Sequence, residues 1–308
     1  MRLTTPTGLA IRALLSIAIL VTVLAVSIAF VGGIIGAALM YFVPKQGKMQ
    51  LWIAAFSLGI VVMLPIFAWT IQKTIREERR QLLEKTVPIT ESTLEDAALT
   101  EASVRRVAAQ FDVPVPDLRI HSTSAPLAYT TYRPEDANIW TKDRHTPVVI
   151  ISEGLITLLS QEECEAVLAH ELAHIANDDL RLVSGLLVPL IAAESLYEEG
   201  YPANVFDIVG RILTVIALVG VGVFTRGREL AADRGAVAAT GQAETLATAL
   251  KRLDESKSDK PMTDLRKHAR STNAVNAFPT LGQGSNTFRL LSTHPSIDVR
   301  IKQLQSLT

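Results

Sequence analysis

Two histidines and a glutamate, His170, Glu171 and His174, form H-E-x-x-H inside the run VLAHELAHI. On an α-helix, residues four apart share a face. His170 and His174 can therefore aim imidazole nitrogens at one metal ion. Glu171 stands beside the first of them, placed to take a proton from a water held there. Zinc suits two imidazoles and a carboxylate with the fourth position left to water. Such a site needs a third protein ligand, and R-E-L-A-A-D at 228–233 offers one. Glu229 and Asp233 are again four apart. The economical arrangement places Glu229 on the metal and hydrogen-bonds Asp233 to the outer nitrogen of a ligand histidine, fixing its tautomer. In isolation this stretch reads as a solvated helix end, because Arg226, Arg228 and Arg234 are adjacent. Downstream of H-E-x-x-H, the ligand reading is the better one.

The helix that must carry the histidines is visible without the motif. Ser160 and Glu163 make an S-x-x-E capping box, and good helix formers follow with no Gly or Pro until after Asp179. Cys164, the sole cysteine, excludes an intrachain disulfide and reads as a small packing residue.

The chain has 308 residues, a net charge of -1 and 48% hydrophobic residues. The charge balance gives no footprint for nucleic acid. The hydrophobic content directs attention to membrane segments. Residues 13–44 and 49–72 contain no charged side chain, and about twenty apolar residues suffice to span a bilayer. Trp52 and Trp69 flank the second segment as interfacial aromatics do. Gly32, Gly33 and Gly36 suggest close helix packing. Arg2 and Arg12 precede the hairpin; Lys73, Arg76, Arg79 and Arg80 follow it; only Lys45 and Lys48 lie between. Both ends therefore read as cytoplasmic.

Residues 77–101 read as a charged juxtamembrane connector. Thr100 is a candidate cap for a helix with Val104, Val107, Ala108 and Phe111 on one face, ended by Pro114 and Pro116. Short extended runs at 118–121, 127–131, 138–140 and 148–151 predict a small sheet. His121 and His145 lack ligand spacing. Apolar runs at 182–193 and 212–225 are each shorter than the ~17 residues a span needs. They are buried core helices or a second membrane hairpin, and the acidic linker (Glu194, Glu198, Glu199, Asp207) tilts the choice towards the hairpin. Residues 251–270 read as a solvated loop, with His268 given no role. The expected organisation is a transmembrane hairpin (1–76), a cytoplasmic catalytic part (77–181), the second apolar hairpin (182–225) and the rest of the catalytic part (226–308). The fold class is mainly α with a small β-sheet.

With these motifs in order, the chain resembles the HtpX family of integral-membrane zinc metalloproteases, related to the CAAX prenyl endopeptidases. The resemblance rests on the N-terminal hairpin, HELAHIANDD (170–179), RELAAD (228–233) and STHPSIDVRIKQL (292–304). It implies Zn2+ held by His170, His174 and Glu229, and transmembrane helices joined to a gluzincin-like domain facing the cytoplasm of a prokaryotic inner (plasma) membrane. It also implies endoproteolysis of misfolded or damaged membrane proteins or unfolded polypeptides. The motif near the end is placed close to the site, where His294 or Arg300 could donate to an oxyanion; a turn and helix packed on the core is the other reading. The family's N-A-F-A-x-G strand is replaced by APLAYT (125–130), which bears on substrate preference. Asn276-Ala277-Phe278 lies on the wrong side of the zinc helix to replace it. Two further readings remain: a narrow-specificity processing peptidase, and a catalytically silent zinc sensor. An intact Glu171 speaks against the sensor, since a purely structural site has no use for a base.

Overall fold

The structure is a computed structural model that describes residues 6–41, 48–92, 97–136, 147–194, 196, 204–258 and 295–307. Residues 13–41 of the first uncharged segment lie in helix α1 (Pro6–Tyr41), with 42–44 outside the described residues, and the second segment lies in α2 (Lys48–Glu84). α1 buries one stripe, including Ser16, Leu20, Val23 and Ser27, and leaves Ile11, Leu14, Leu15, Val21 and Val26 exposed. Apolar side chains on the outside of a helix bundle are costly in water and neutral in lipid. Gly32 does what close packing asks: a Cβ there would lie 3.3 Å from the Phe56 ring of α2. Gly33 faces open space.

The connector expected at 77–101 is corrected. α2 continues to Glu84, and β1 (Thr86–Pro88) follows directly. Thr100 does not cap the next helix. α3 (Ala97–Gln110) has already begun three residues earlier, and Thr100 is buried within it. Val104, Val107 and Ala108 form its buried face as the periodicity predicts, and Asp112 at φ 52° turns the chain away.

Three further strands, β2 (Asp117–His121), β3 (Ala128–Tyr132) and β4 (Pro147–Ser152), complete a sheet of order β1-β2-β4-β3. β2 and β4 are parallel; β1–β2 and β3–β4 are antiparallel. The strand expected at 138–140 lies outside the described residues. Alternation assigns the two faces. Leu118, Ile120, Ala128, Val149 and Ile151 join the main core. Tyr129, Val148 and Ile150 turn to the other side, beneath Leu82 and Leu83 of α2.

α4 (Glu153–Leu158) starts on Ser152, whose hydroxyl accepts from Leu155 N at 3.0 Å and donates to the Ala125 carbonyl at 2.7 Å. Gly154 is pressed against this loop: a Cβ would stand 2.3 Å from the Ser124 carbonyl oxygen. Helix propensity favours alanine over glycine by up to ~1 kcal/mol. The clash is with backbone, however, and overpacking costs roughly 1–3 kcal/mol. Gly154→Ala is therefore expected to lower the melting temperature in detergent; an unchanged or raised value would contradict this packing.

α5 (Gln161–Ala176) opens with the expected capping box: Glu163 N donates to Ser160 Oγ at 3.3 Å, and Ser160 N to Glu163 Oε2 at 2.9 Å. After a break at Asp178 (φ 56°) comes α6 (Asp179–Glu194). The apolar run 212–225 is not a separate short segment. It lies in α7 (Val205–Thr240), 36 residues capped by Asn204 and Asp207 and ended by Gly241 at φ 70°. Among the described residues, Ile11–Ala38 and Val205–Thr240 are long and apolar enough to cross a membrane. α7 buries Leu213, Ala217, Val221 and Phe224 and exposes Ile208, Ile212, Val215 and Ile216. α1 packs against it closely: Ser16 Oγ donates to the Gly220 carbonyl at 2.5 Å, and Phe30 meets Phe206 edge-on at 5.4 Å. α8 (Ala243–Ser258) and α9 (Ile297–Gln305) close the catalytic side, with Leu246, Leu250, Leu253 and Leu304 in the main core.

Candidate metal centre

α5 and α7 cross so closely that a Cβ on Gly235 would lie 3.1 Å from the Ala173 Cβ. That approach brings Glu229 of α7 over the histidine face of α5. The Nε2 atoms of His170 and His174 stand 3.2 Å apart. Glu229 Oε2 is 3.6 Å from the first, and Oε1 is 3.5 Å from the second. Each outer ring nitrogen has a carboxylate: His170 Nδ1 lies 3.0 Å from Asp233 Oδ1, and His174 Nδ1 lies 2.8 Å from Asp179 Oδ2. Those partners hold the protons on Nδ1 and turn both Nε2 lone pairs inward. Two lone pairs and a carboxylate facing one point repel one another unless a cation lies between them. Donor atoms of a tetrahedral zinc with bonds of about 2.0–2.1 Å are ~3.3 Å apart, close to the three separations found here. The group His170, His174 and Glu229 thus fits a divalent ion.

Glu171, next along α5, is fully buried, and Thr130 of β3 donates to its Oε2 at 2.9 Å. Arg300 of α9 reaches in from 67 residues beyond Asp233 and grips it with two hydrogen bonds: Nε to Oδ2 at 2.8 Å and Nη2 to Oδ1 at 2.6 Å. Its Nη1 lies 3.3 Å from Glu229 Oε2. Burial opposes the Arg300 charge, but the Asp233 carboxylate and then Glu229 outweigh it and raise the guanidinium pKa above its ordinary value. Arg300 is 2% exposed. Its guanidinium is engaged by Asp233 and Glu229. His294 lies outside the described residues. The other six sequence-predicted residues (His170, Glu171, His174, Glu229, Asp233 and Arg300) are brought together.

Three contributors were not read from the sequence. Asp179 is one; its only sequence signal is an acid five residues after His174. Arg228 is the second: it pairs with Asp179 and donates to the Asn177 carbonyl at 3.1 Å, tying α7 to the break between α5 and α6. Thr130 is the third, within the stretch that departs from the family pattern.

A buried His-His-Glu group on two crossed helices can hold a metal ion with a hydrogen-bonded glutamate beside it, the requirements of metal-assisted hydrolysis. The family model for peptidase family M48 matches residues 95–308. Similar curated proteins include Protease HtpX homolog 2 of Methanosarcina mazei, 31% identical over 69% of this chain and 73% of the relative. Protease HtpX homolog 1 of Streptomyces coelicolor is 32% identical over 65% and 68%. A Protease HtpX homolog of Syntrophobacter fumaroxidans is 29% identical over 94% and 97%. Among solved structures, the Ste24p of S. mikatae aligns at 17% identity and a TM-score of 0.44, covering 83% of this chain and 66% of that one. The chain belongs to the HtpX-type metallopeptidases of family M48, and its long apolar helices make it a membrane protease.

Proposed function

We propose that the protein is a zinc endopeptidase that cuts misfolded or damaged membrane polypeptides on the cytoplasmic side of a prokaryotic plasma membrane. Glu171 carries this reading. A fully buried carboxylate beside the ligand histidines, held by Thr130, serves hydrolysis and has no use in a structural or sensing site. His170, His174 and Glu229 would hold the zinc; when bound, it would lower the pKa of a water towards ~7 and polarise the scissile carbonyl. Glu171 takes the proton from the attacking water and returns it to the leaving amine. Thr130 fixes one oxygen of that carboxylate while the transfer occurs. Asp179 and Asp233 hold the ligand imidazoles in one tautomer and orientation. β3 is the last strand in the sheet order among the described residues and lies against α5. An extended substrate pairing along it would be held by backbone, which tolerates varied sequence. The apolar outer faces of α1 and α7 anchor the site beside membrane substrates.

The test is metal removal from detergent-purified protein. A chelator is expected to abolish cleavage of an unfolded substrate such as casein, and stoichiometric zinc to restore it. Glu229→Ala protein is expected to carry less than one zinc and to be inactive. Full zinc in Glu229→Ala would remove that residue from the ligand set. Cleavage that persists after the metal is gone would reject the reading.

A further inference from the structure

The last turns of α2 lie along the sheet, with Ile75, Arg79, Leu82 and Leu83 all turned towards it. Ile75 joins an apolar cluster with Tyr132, Leu190, Ile191 and Phe224. Leu82 and Leu83 cover Tyr129, Val148 and Ile150. Between them Arg79 is 4% exposed. Burying a guanidinium is costly, and a leucine or methionine would fill the same space without that cost. The charge has a directional task. Nη1 donates to the Asp136 carbonyl at 3.0 Å, and Cζ lies 5.5 Å from the centre of the Tyr132 ring. Burial pulls the Arg79 pKa down to about 10, with Tyr132 and Asp136 opposing the shift, so the group is charged at neutral pH.

Both partners stand where β3 ends. Tyr132 is its last residue, and Asp136 closes the short 3-10 turn Pro134–Asp136 that follows. Tyr132 pairs with Pro147 of β4. Pro147 is the first residue of β4, so this pair is the last rung of the ladder among the described residues. Thr130, which holds Glu171, pairs two rungs earlier with Val149 and is secured there.

We propose that Arg79 is a positioning residue for substrate: it pins the exit of β3 to α2 where the ladder ends, and so fixes the strand along which a polypeptide pairs. This rests on the reading of β3 as the substrate edge. A loosened exit weakens substrate pairing while leaving Glu171 and the metal ligands in place, so the effect falls on KM and not on kcat.

The test uses full-length, zinc-loaded protein and an unfolded fluorogenic peptide. Arg79→Met keeps the volume and removes the charge. KM is expected to rise about tenfold, a part of the worth of the internal hydrogen bond and cation–π contact that hold the strand, with kcat and zinc content unchanged. Arg79→Lys, which can still donate and sit over the ring, is expected to recover most of the loss. Tyr132→Leu should raise KM too, and the double variant should be no worse than Arg79→Met alone, because the contact with the ring is already lost there. If Arg79→Met fails to fold, Tyr132→Leu carries the same comparison. A wild-type KM in these variants, or kcat and zinc falling while KM holds, overturns the proposal alone. A wild-type protein that does not cleave overturns the reading of the site, and this inference with it.

Discussion

Glu171→Gln is expected to keep its metal and lose its hydrolysis. Glu171 is outside the convergent group of His170, His174 and Glu229, so the substitution leaves every ligand in place. A glutamine carbonyl can still accept from Thr130 Oγ1, which now donates at 2.9 Å, so the side chain keeps its position. What disappears is the ability to take a proton. General acid–base catalysis contributes about 10²–10⁴-fold, and the same group serves both proton transfers. A loss of kcat of roughly 10³-fold is expected. Zinc per chain and the initial rate of casein cleavage, self-cleavage included, measure the two halves separately. Equal zinc with activity lost only in the variant assigns the base. Equal activity in both forms would remove Glu171 from the mechanism, and loss of zinc would make it a structural partner of the ligands.

What the sequence disclosed and what it hid differ in a physical way. His170 with His174, and Glu229 with Asp233, are spaced by helix periodicity, a local property that short motifs report directly. The cap at Ser160 is equally local. Asp179 was hidden because it reaches His174 across a helix break, and nothing in the letters N-D-D shows that Asp178 adopts φ 56°. The extension of α2 was hidden by its own buried charge. Ile75, Arg79, Leu82 and Leu83 form a core-facing row, but Arg79 among surface charges makes the segment read as a polar connector. The length of α7 was hidden similarly. Arg226 and Arg228 end the apolar run, yet the helix continues because Arg228 is engaged with Asp179 and the Asn177 carbonyl. Arg300 was placed near the site by resemblance alone. Its contact with Asp233 joins two distant helices, and periodicity carries no information about such pairs.

Asp233→Asn should cost more than a lost brace on His170. Asp233 accepts two hydrogen bonds from a guanidinium that is 2% exposed. Without that carboxylate, Arg300 keeps its charge in a dry site, and the nearest remaining anion is Glu229, whose Oε2 is already 3.3 Å from Nη1. Arg300 would then compete with the metal for its carboxylate ligand. Loss of a partner to a ligand histidine alone weakens metal binding about 10–100-fold, and this competition places the variant at the upper end. Breaking one side of a buried ion pair also destabilises by roughly 3–5 kcal/mol. The double variant Asp233→Asn/Arg300→Met separates the two effects. With both charges removed, stability should recover, and the competitor for Glu229 is gone. Metal affinity should then return to the lower end of the range, where only the brace on His170 is missing. Zinc titration against a competing chelator and thermal unfolding in detergent read the two quantities. Wild-type zinc affinity in Asp233→Asn, or a double variant less stable than the single, would show that Asp233 does not shield Glu229 from Arg300.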